Sequence, residues 1–417
     1  MRISSIQAFN NGVTGIQRNY SNVTRTQEQI STGKKILTPA DDPVASARLL
    51  QLSQEKAQYE QYSSNITAAK NSLTQEESIL NSVGNVLQRV REIAVQAGDA
   101  AQDKTDKAAL AKELAEREDE LLNLLNSRNA RGEYLFSGNL GKNVPFILDP
   151  ATGEYAYLGD EGQREIQIAS STYLPINDNG KVLFEDVTNA NRVTTSKTPS
   201  ASTASISLGL VEDKLAYDST FPDATLTATD GFGIRFTSPT AYEVFDLAAP
   251  AVVLSSGSVD TDATTSDVIR YAGVRVAIDG IPATGDSFAV NRNPAVEKRG
   301  MLNVVADLRR SLEQAQDSPQ GGLVVRDNVA VALSNLDAVL GQVLQGRGEI
   351  GARLNVLEST ESFNEDVSLI NTAVQSDLQD LDYAEALSRL SFESVILEAA
   401  QQSYVKVAGL SLFDQLR

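Results

Sequence analysis

Residues 29–50 read QISTGKKILTPADDPVASARLL, and in this stretch one helix stops and another starts within a few residues. Gly33 can take the left-handed conformation that ends a helix, and Lys34 and Lys35 suit the negative end of its dipole. Pro39 bars continuation. Asp42 offers a side-chain oxygen as an N-cap, and Pro43 fits the first helical position, where no backbone N–H is needed. Asp41 and Asp42 also invite reading as a catalytic acid pair, but beside Pro43 the capping role accounts for them. The stretch predicts a sharply specified helix–loop–helix joint.

Working outward, both flanks carry helical spacing. Before the joint, Phe9, Val13, Ile16, Tyr20, Val23 and Ile30 continue a stripe begun at Ile6, with Gln27 in one core slot. After it, Tyr59, Tyr62, Ile66, Ala69, Leu73, Glu76, Leu80, Val83, Leu87, Val90 and Ala94 hold a heptad, the pattern of a coiled coil. Unbroken from Pro43 to Ala97, this helix would be roughly 80 Å long. Leu110, Leu114, Leu121 and Leu124 predict a third helix, with Gly132 as its stop. Near the other end Met301, Val305, Leu308 and Leu312 precede a break at SPQGG (318–322), and Val325, Val329, Ala332, Leu336, Val339 and Val343 follow it. Gly346, Gly348 and Gly351 shift the phase without a proline, which predicts close helix packing. Phe363, Val367, Ile370 and Val374 resume the pattern. Long helices at both ends are marginal alone, so the two ends are expected to pack together.

The middle, from about 144 to 295, has strand and turn composition. Tyr155 with Tyr157, and Ile166 with Ile168, alternate as in strands. GVRVAIDGIPATGDSFAVNRNP (273–294) is expected to form a hairpin, and TTSKTPSASTASIS (194–207) a linker or flexible exposed loop.

Composition narrows the chemistry. The chain has 417 residues, no cysteine, histidine or tryptophan, and a net charge of −19 from 36 basic and 55 acidic side chains. Common zinc sites, thiol nucleophiles and Ser-His triads are therefore excluded, and nucleic-acid binding is disfavoured. The acidic turns LGDEGQ and DGFGI lack calcium-loop spacing, and Tyr59 with Tyr62 sits at packing positions. No catalytic, cofactor or metal site is expected. The opening MRISSIQAFNNGVTGIQ carries no apolar run of secretory-signal length, and no stretch approaches a membrane span. The expectation is a chain that stays in the cytoplasm or is exported without a cleaved signal.

Several long motifs, in order, resemble the hook–filament junction branch of the flagellin-like axial proteins of bacterial flagella. They are MRISS, QISTGKKILTPADDPVASARLL, LQRVREIAVQAG (87–98), GEYLFSG (132–138), RGEIGARLNVLEST (347–360), DLDYAEALSRLS (380–391) and LSLFDQLR (410–417). The resemblance implies a mainly α fold: a long antiparallel helical bundle of the two terminal regions, with an inserted β-rich domain. It divides the chain into an assembly helix and joint (1–42), one half of a helical rod (43–143), a β-rich outer domain (144–296, enlarged by 188–265), the second half-rod (297–380) and a C-terminal assembly helix (381–417). It further implies a structural adaptor layer, exported unfolded and folded on assembly, its terminal ends disordered in the free chain. Polar Asn10, Asn11, Gln17 and Asn19 are candidates to face a wet lumen. The implied partners are the first hook-associated protein, flagellin, further copies of the chain in a ring, and an export chaperone. Assembly contacts would use Ile6, Phe9, Val13, Ile16, Tyr20, Val23, Ile30, Leu397, Val407, Leu410, Leu412, Phe413 and Leu416. The joint would be Gly33, Pro39, Asp41, Asp42 and Pro43, and the chaperone would cover Ile396, Val407, Leu410 and Phe413. A divergent flagellin and a secreted coiled-coil adhesin are the competing readings.

Overall fold

A computed structural model of the chain describes residues 2–99, 102–221, 230–262 and 265–415, and within them every side chain except those of residues 2–6, 8, 294 and 407–415. Its helices are α1 (Arg2–Thr32), α2 (Pro43–Ala97), α3 (Lys104–Leu125), α4 (Lys214–Thr220), α5 (Met301–Glu313), α6 (Pro319–Gln379) and α7 (Tyr383–Gln415), with the strands lying between α3 and α5. The fold is mainly α, with long terminal helices flanking a β-rich middle. Two compact units divide it: Met1–Ile66, Ile168–Thr172 and Glu358–Arg417 in the first, Thr67–Gln167 and Tyr173–Leu357 in the second.

In the first unit α1 and α7 run antiparallel, with the Phe9 and Tyr404 rings 5.2 Å apart toward one end and Gly33 beside Leu381 at the other. Gln27, expected in the core, is exposed; Thr26 and Gln29 are buried instead. The seam runs through Val13, Ile16, Asn19, Val23, Thr26 and Ile30, so it leaves the expected stripe at Tyr20 and Gln27. Polar pairing with α7 draws Thr26 inward: its Oγ1 donates to Glu393 Oε2 at 2.7 Å. The Tyr59 and Tyr62 rings meet edge to face, a packing contact.

In the second unit the heptad of α2 is buried throughout, with Leu73, Glu76, Leu80, Val83, Leu87, Val90 and Ala94 all at 0% exposure. The third helix stops at Leu125, ahead of the expected Gly132, because Asn126 turns away to clamp a strand. Its Nδ2 donates to Phe146 O at 2.9 Å, and its Oδ1 accepts from Phe146 N at 3.1 Å. The second break also falls earlier than SPQGG. Ser318 Oγ accepts from Gly321 N at 3.0 Å and Pro319 opens α6, so Pro-Gln-Gly-Gly is the helix start. Gly346 does pack closely: a Cβ there would lie 2.6 Å from Leu183 Cδ2, whereas Gly348 and Gly351 face open space.

The middle holds two small pairs, Phe146–Asp149 with Glu154–Tyr157 and Glu165–Ala169 with Thr172–Pro175, and two larger sheets over one core. One has the order Val253–Ser258, Ala241–Asp246, Gly231–Ser238, Ser287–Arg292, Val193–Lys197; the other joins Asp267–Tyr271, Val274–Asp279 and Ser205–Ile206, with Leu210–Val211 beside it. Two expectations are corrected here. Strands 274–279 and 287–292 do not pair: Phe288 lies opposite Ile234, and Ile278 opposite Asp267 and Ile206. Val274, Val276 and Ile278 must cover Phe288 and Val290 from the facing sheet, and a hairpin would leave that core open. The true hairpin is one turn earlier. Ala272 and Gly273, with φ of 49° and 73°, make the two-residue turn between Tyr271 and Val274. Segment 194–207 is a loop only over 198–204, since its two ends supply strands to both sheets. The chain enters and leaves through a neck, where Asn189 N donates to Glu297 O at 3.0 Å and Arg299 N to Val187 O at 2.9 Å.

Candidate functional site: a joint shared by both ends of the chain

Gly33 ends α1 with φ of 70°, as its position predicts. The next residues then pair with the other end of the chain. Lys35 N donates to Gln379 O at 2.7 Å, Leu381 N donates to Gly33 O at 3.0 Å, and Lys34 bridges antiparallel to Asp380. Gln29, buried, closes the turn by donating from Nε2 to Lys35 O at 2.7 Å, while its Oε1 accepts from Arg389 of α7 at 3.4 Å. The joint is therefore two breaks stapled together: one between α1 and α2, the other between α6 and α7.

Each acidic residue has a separate duty. Asp42 Oδ1 accepts from Val44 N at 3.1 Å and Ala45 N at 3.0 Å, the N-cap expected of it. Asp41 does not cap α2. Its Oδ2 accepts from Leu37 N and Thr38 N, both at 3.0 Å, and its Oδ1 pairs with Arg25 of α1 at 2.7 Å. The Asp-Asp pair thus holds the loop with one carboxylate and the next helix with the other. On the second strand Asp382 Oδ1 caps α7, accepting from Ala384 N at 2.8 Å. This C-terminal joint was not read from the sequence, although DLD ahead of YAEALS carries an N-cap signal.

Two expected outcomes follow from this geometry. Gly33→Ala places a Cβ 2.9 Å from Tyr383 Oη on a left-handed backbone, so urea melts should show about 1–2 kcal/mol of destabilisation. The Thr38 N–H, with Leu37 N–H and Arg25 behind it, holds the Asp41 carboxyl below its ordinary value of 3.8. A depressed carboxylate lends stability above the unfolded value and loses it as pH falls through the folded one. Amide exchange at Leu37 and Thr38 should therefore quicken in acid below about pH 3.8, and Asp41→Asn should remove that dependence.

In the first unit, large apolar side chains stand in solvent. Tyr20 is 63% exposed on α1, Phe392 68% and Val395 62% on α7, and Phe363 61% on α6. Of the residues named for assembly, Phe9 and Tyr20 are exposed, while Val13, Ile16, Val23, Ile30 and Leu397 are half-buried along the α1–α7 seam. Ile396 is exposed. The side chains of Ile6, Val407, Leu410, Leu412 and Phe413, and all of Leu416, lie outside the described residues. Asn10, Asn11 and Gln17 are exposed and Asn19 is half-buried. Among the described residues no group of three acidic side chains is placed to hold a metal ion, and no helix is long and apolar enough to cross a membrane.

Residues 3–140 match the family model of the bacterial flagellin N-terminal helical region. Over its whole length it resembles flagellar hook-associated protein 3. The protein of that name from Escherichia coli (strain K12) is 25% identical over 414 residues, covering 99% of each chain. The crystal structure of flagellar hook associated protein-3 from Legionella pneumophila is 26% identical with a TM-score of 0.65, covering 79% of this chain and 98% of that one. Flagellin B of Vibrio anguillarum is 23% identical, over 97% of this chain and 93% of the relative.

Proposed function

We propose that this chain is a structural part of the bacterial flagellum, forming the layer that joins hook to filament. The observation that carries the reading is the contrast between its helical regions. The second unit buries its heptad completely, whereas α1, α7 and the adjoining parts of α2 and α6 leave Tyr20, Val44, Phe363, Phe392 and Val395 more than half exposed. Apolar surface of this extent on long helices is surface kept for other molecules. Its occupants would be further copies of the chain within the layer, the first hook-associated protein on one side and flagellin on the other. The stapled joint would pass load from the terminal pair to the rod through both strands at once. Before assembly, an export chaperone would cover the C-terminal helix through Ile396, Val407, Leu410 and Phe413, and the chain would leave the cell through the flagellar export route. The chain's work would be mechanical, with no reaction catalysed.

Deletion of the gene, followed by electron microscopy, tests this reading. The expected result is normal hooks without filaments and flagellin shed into the medium. Filaments that persist would overturn it, and unimpaired motility with lost surface attachment would favour an adhesin. Long filaments grown from the purified chain alone would favour a flagellin.

A further inference from the structure

A glutamate occupies one core position of the α2 heptad. Glu76 lies between Leu73 and Leu80 and, like both, is wholly buried. Its Oε1 accepts from Asp178 N at 3.0 Å. Asp178 is buried too, and its Oδ1 accepts from Gln163 Nε2 at 2.6 Å and Arg353 Nη2 of α6 at 2.8 Å. Three atoms of this cluster are buried with no hydrogen-bond partner among the described residues: Glu76 Oε2, Asp178 Oδ2 and Arg353 Nη1.

The charges around them do not balance with both acids ionised. Arg353 is shared with Glu349 at 3.7 Å on its own helix, and Arg164 is held by Glu133 at 2.8 Å. The neighbouring Arg347 faces Glu77 at 3.8 Å. One guanidinium is left to two buried carboxylates, and an unpaired buried charge is strongly disfavoured. A single proton resolves this. On Glu76 Oε2 it neutralises the carboxyl that has no charged partner, and leaves Arg353 to Asp178. Burial, reinforced by the Asp178 carboxylate, pushes the Glu76 carboxyl well above its ordinary value of 4.5.

We propose that Glu76 is a proton-binding site: one proton, taken from solvent as the chain folds and held on the buried Glu76 carboxyl beside the Asp178 backbone it accepts from, locks the segment around Asp178 to α2 and α6, and its loss releases that segment. The folded state then holds a proton that an unfolded glutamate has given up above pH 4.5. Stability from this site is therefore greatest in mild acid and falls as pH rises toward the raised folded value.

Thermal melts of the full chain and of Glu76→Gln, from about pH 5 to about pH 9, test the site. The variant keeps an amide oxygen to accept from Asp178 N but has no proton to lose. Relative to it, the wild-type Tm should fall by roughly 2–4 °C for each pH unit through the titration. Infrared spectra at neutral pH should show a neutral carboxylic-acid band in the wild type that is weaker in Glu76→Gln. Parallel melts, or no change in that band, would overturn the proposal. Asp178→Asn serves if Glu76→Gln fails to fold: removing the neighbouring negative charge should move loss of the band to lower pH, and an unmoved band would count against Glu76 as the proton's holder.

Discussion

A chain with residues 188–265 replaced by a short Gly/Ser linker should be insoluble, while one cut instead from 191 to 294 should stay soluble and helical. The first cut removes Val193–Lys197, Gly231–Ser238, Ala241–Asp246 and Val253–Ser258, four of the five strands in one sheet. It strips the cover from Val274, Val276, Ile278, Phe288 and Val290, none more than 1% exposed. At roughly 1.5–3 kcal/mol for each large buried apolar side chain, the loss is on the order of 10 kcal/mol, as much as a whole domain's stability. The second cut ends at the neck, where the Asn335 amide still holds the loop: its Oδ1 accepts from Ala190 N at 2.6 Å and its Nδ2 donates to Asn189 at 3.0 Å. Solubility and circular-dichroism melts of both chains decide the matter. A soluble, cooperatively melting 188–265 deletion would show that stretch to be separable.

The second large effect is expected in assembly. Ile16→Asp should abolish filament attachment in a complemented motility strain, while the melting of the second unit, to which Ile16 does not belong, stays unchanged. Ile16 is half-buried in the single chain, and burying the new carboxylate further among copies would leave it without a partner. In the structure α1 and α7 are formed and paired, and exchange in the free chain measures how far that order precedes assembly. Amide exchange in the free chain should be slowest near the buried Thr26 and Gln29 and quicken toward Phe9, which is 48% exposed. Uniform, strong protection along residues 7–32 would show a preformed core and remove the case for ordering on assembly. Attachment of normal filaments by the variant would count against α1 as an assembly surface.

Much of the helical architecture was legible because its determinants are local. Apolar residues at steps of three and four define α2 from Tyr59 to Ala94, and each lies where the heptad places it. The joint was legible for the same reason, since a left-handed glycine, an N-cap aspartate and a first-turn proline act within a few residues of themselves. Asp41 was misjudged because its partners, Arg25 and the Leu37 and Thr38 amides, look alike in sequence to those of any capping aspartate.

Strand pairing was not legible. Val274–Asp279 and Ser287–Arg292 carry the same alternation and a plausible turn between them, and nothing local says that they belong to opposite sheets. That choice was made by which surfaces needed covering, a property of the packed core. The SKTPSASTAS run reads as a linker by composition, yet Lys197 donates to Ser202 O at 2.6 Å and Ala204 O at 2.8 Å and holds it against the sheet.

The sequence by itself determined the long helices, their pairing and the position of the N-terminal joint, because periodicity, capping and backbone stiffness are written within a turn or two of each residue. Only the tertiary structure decided that this joint is double, that the acid in the α2 heptad meets a second buried acid, and that the strands from Val193 to Arg292 form two facing sheets. Those features arise where segments far apart in the chain share backbone hydrogen bonds, charge or apolar surface, and a residue's own neighbours do not carry that information.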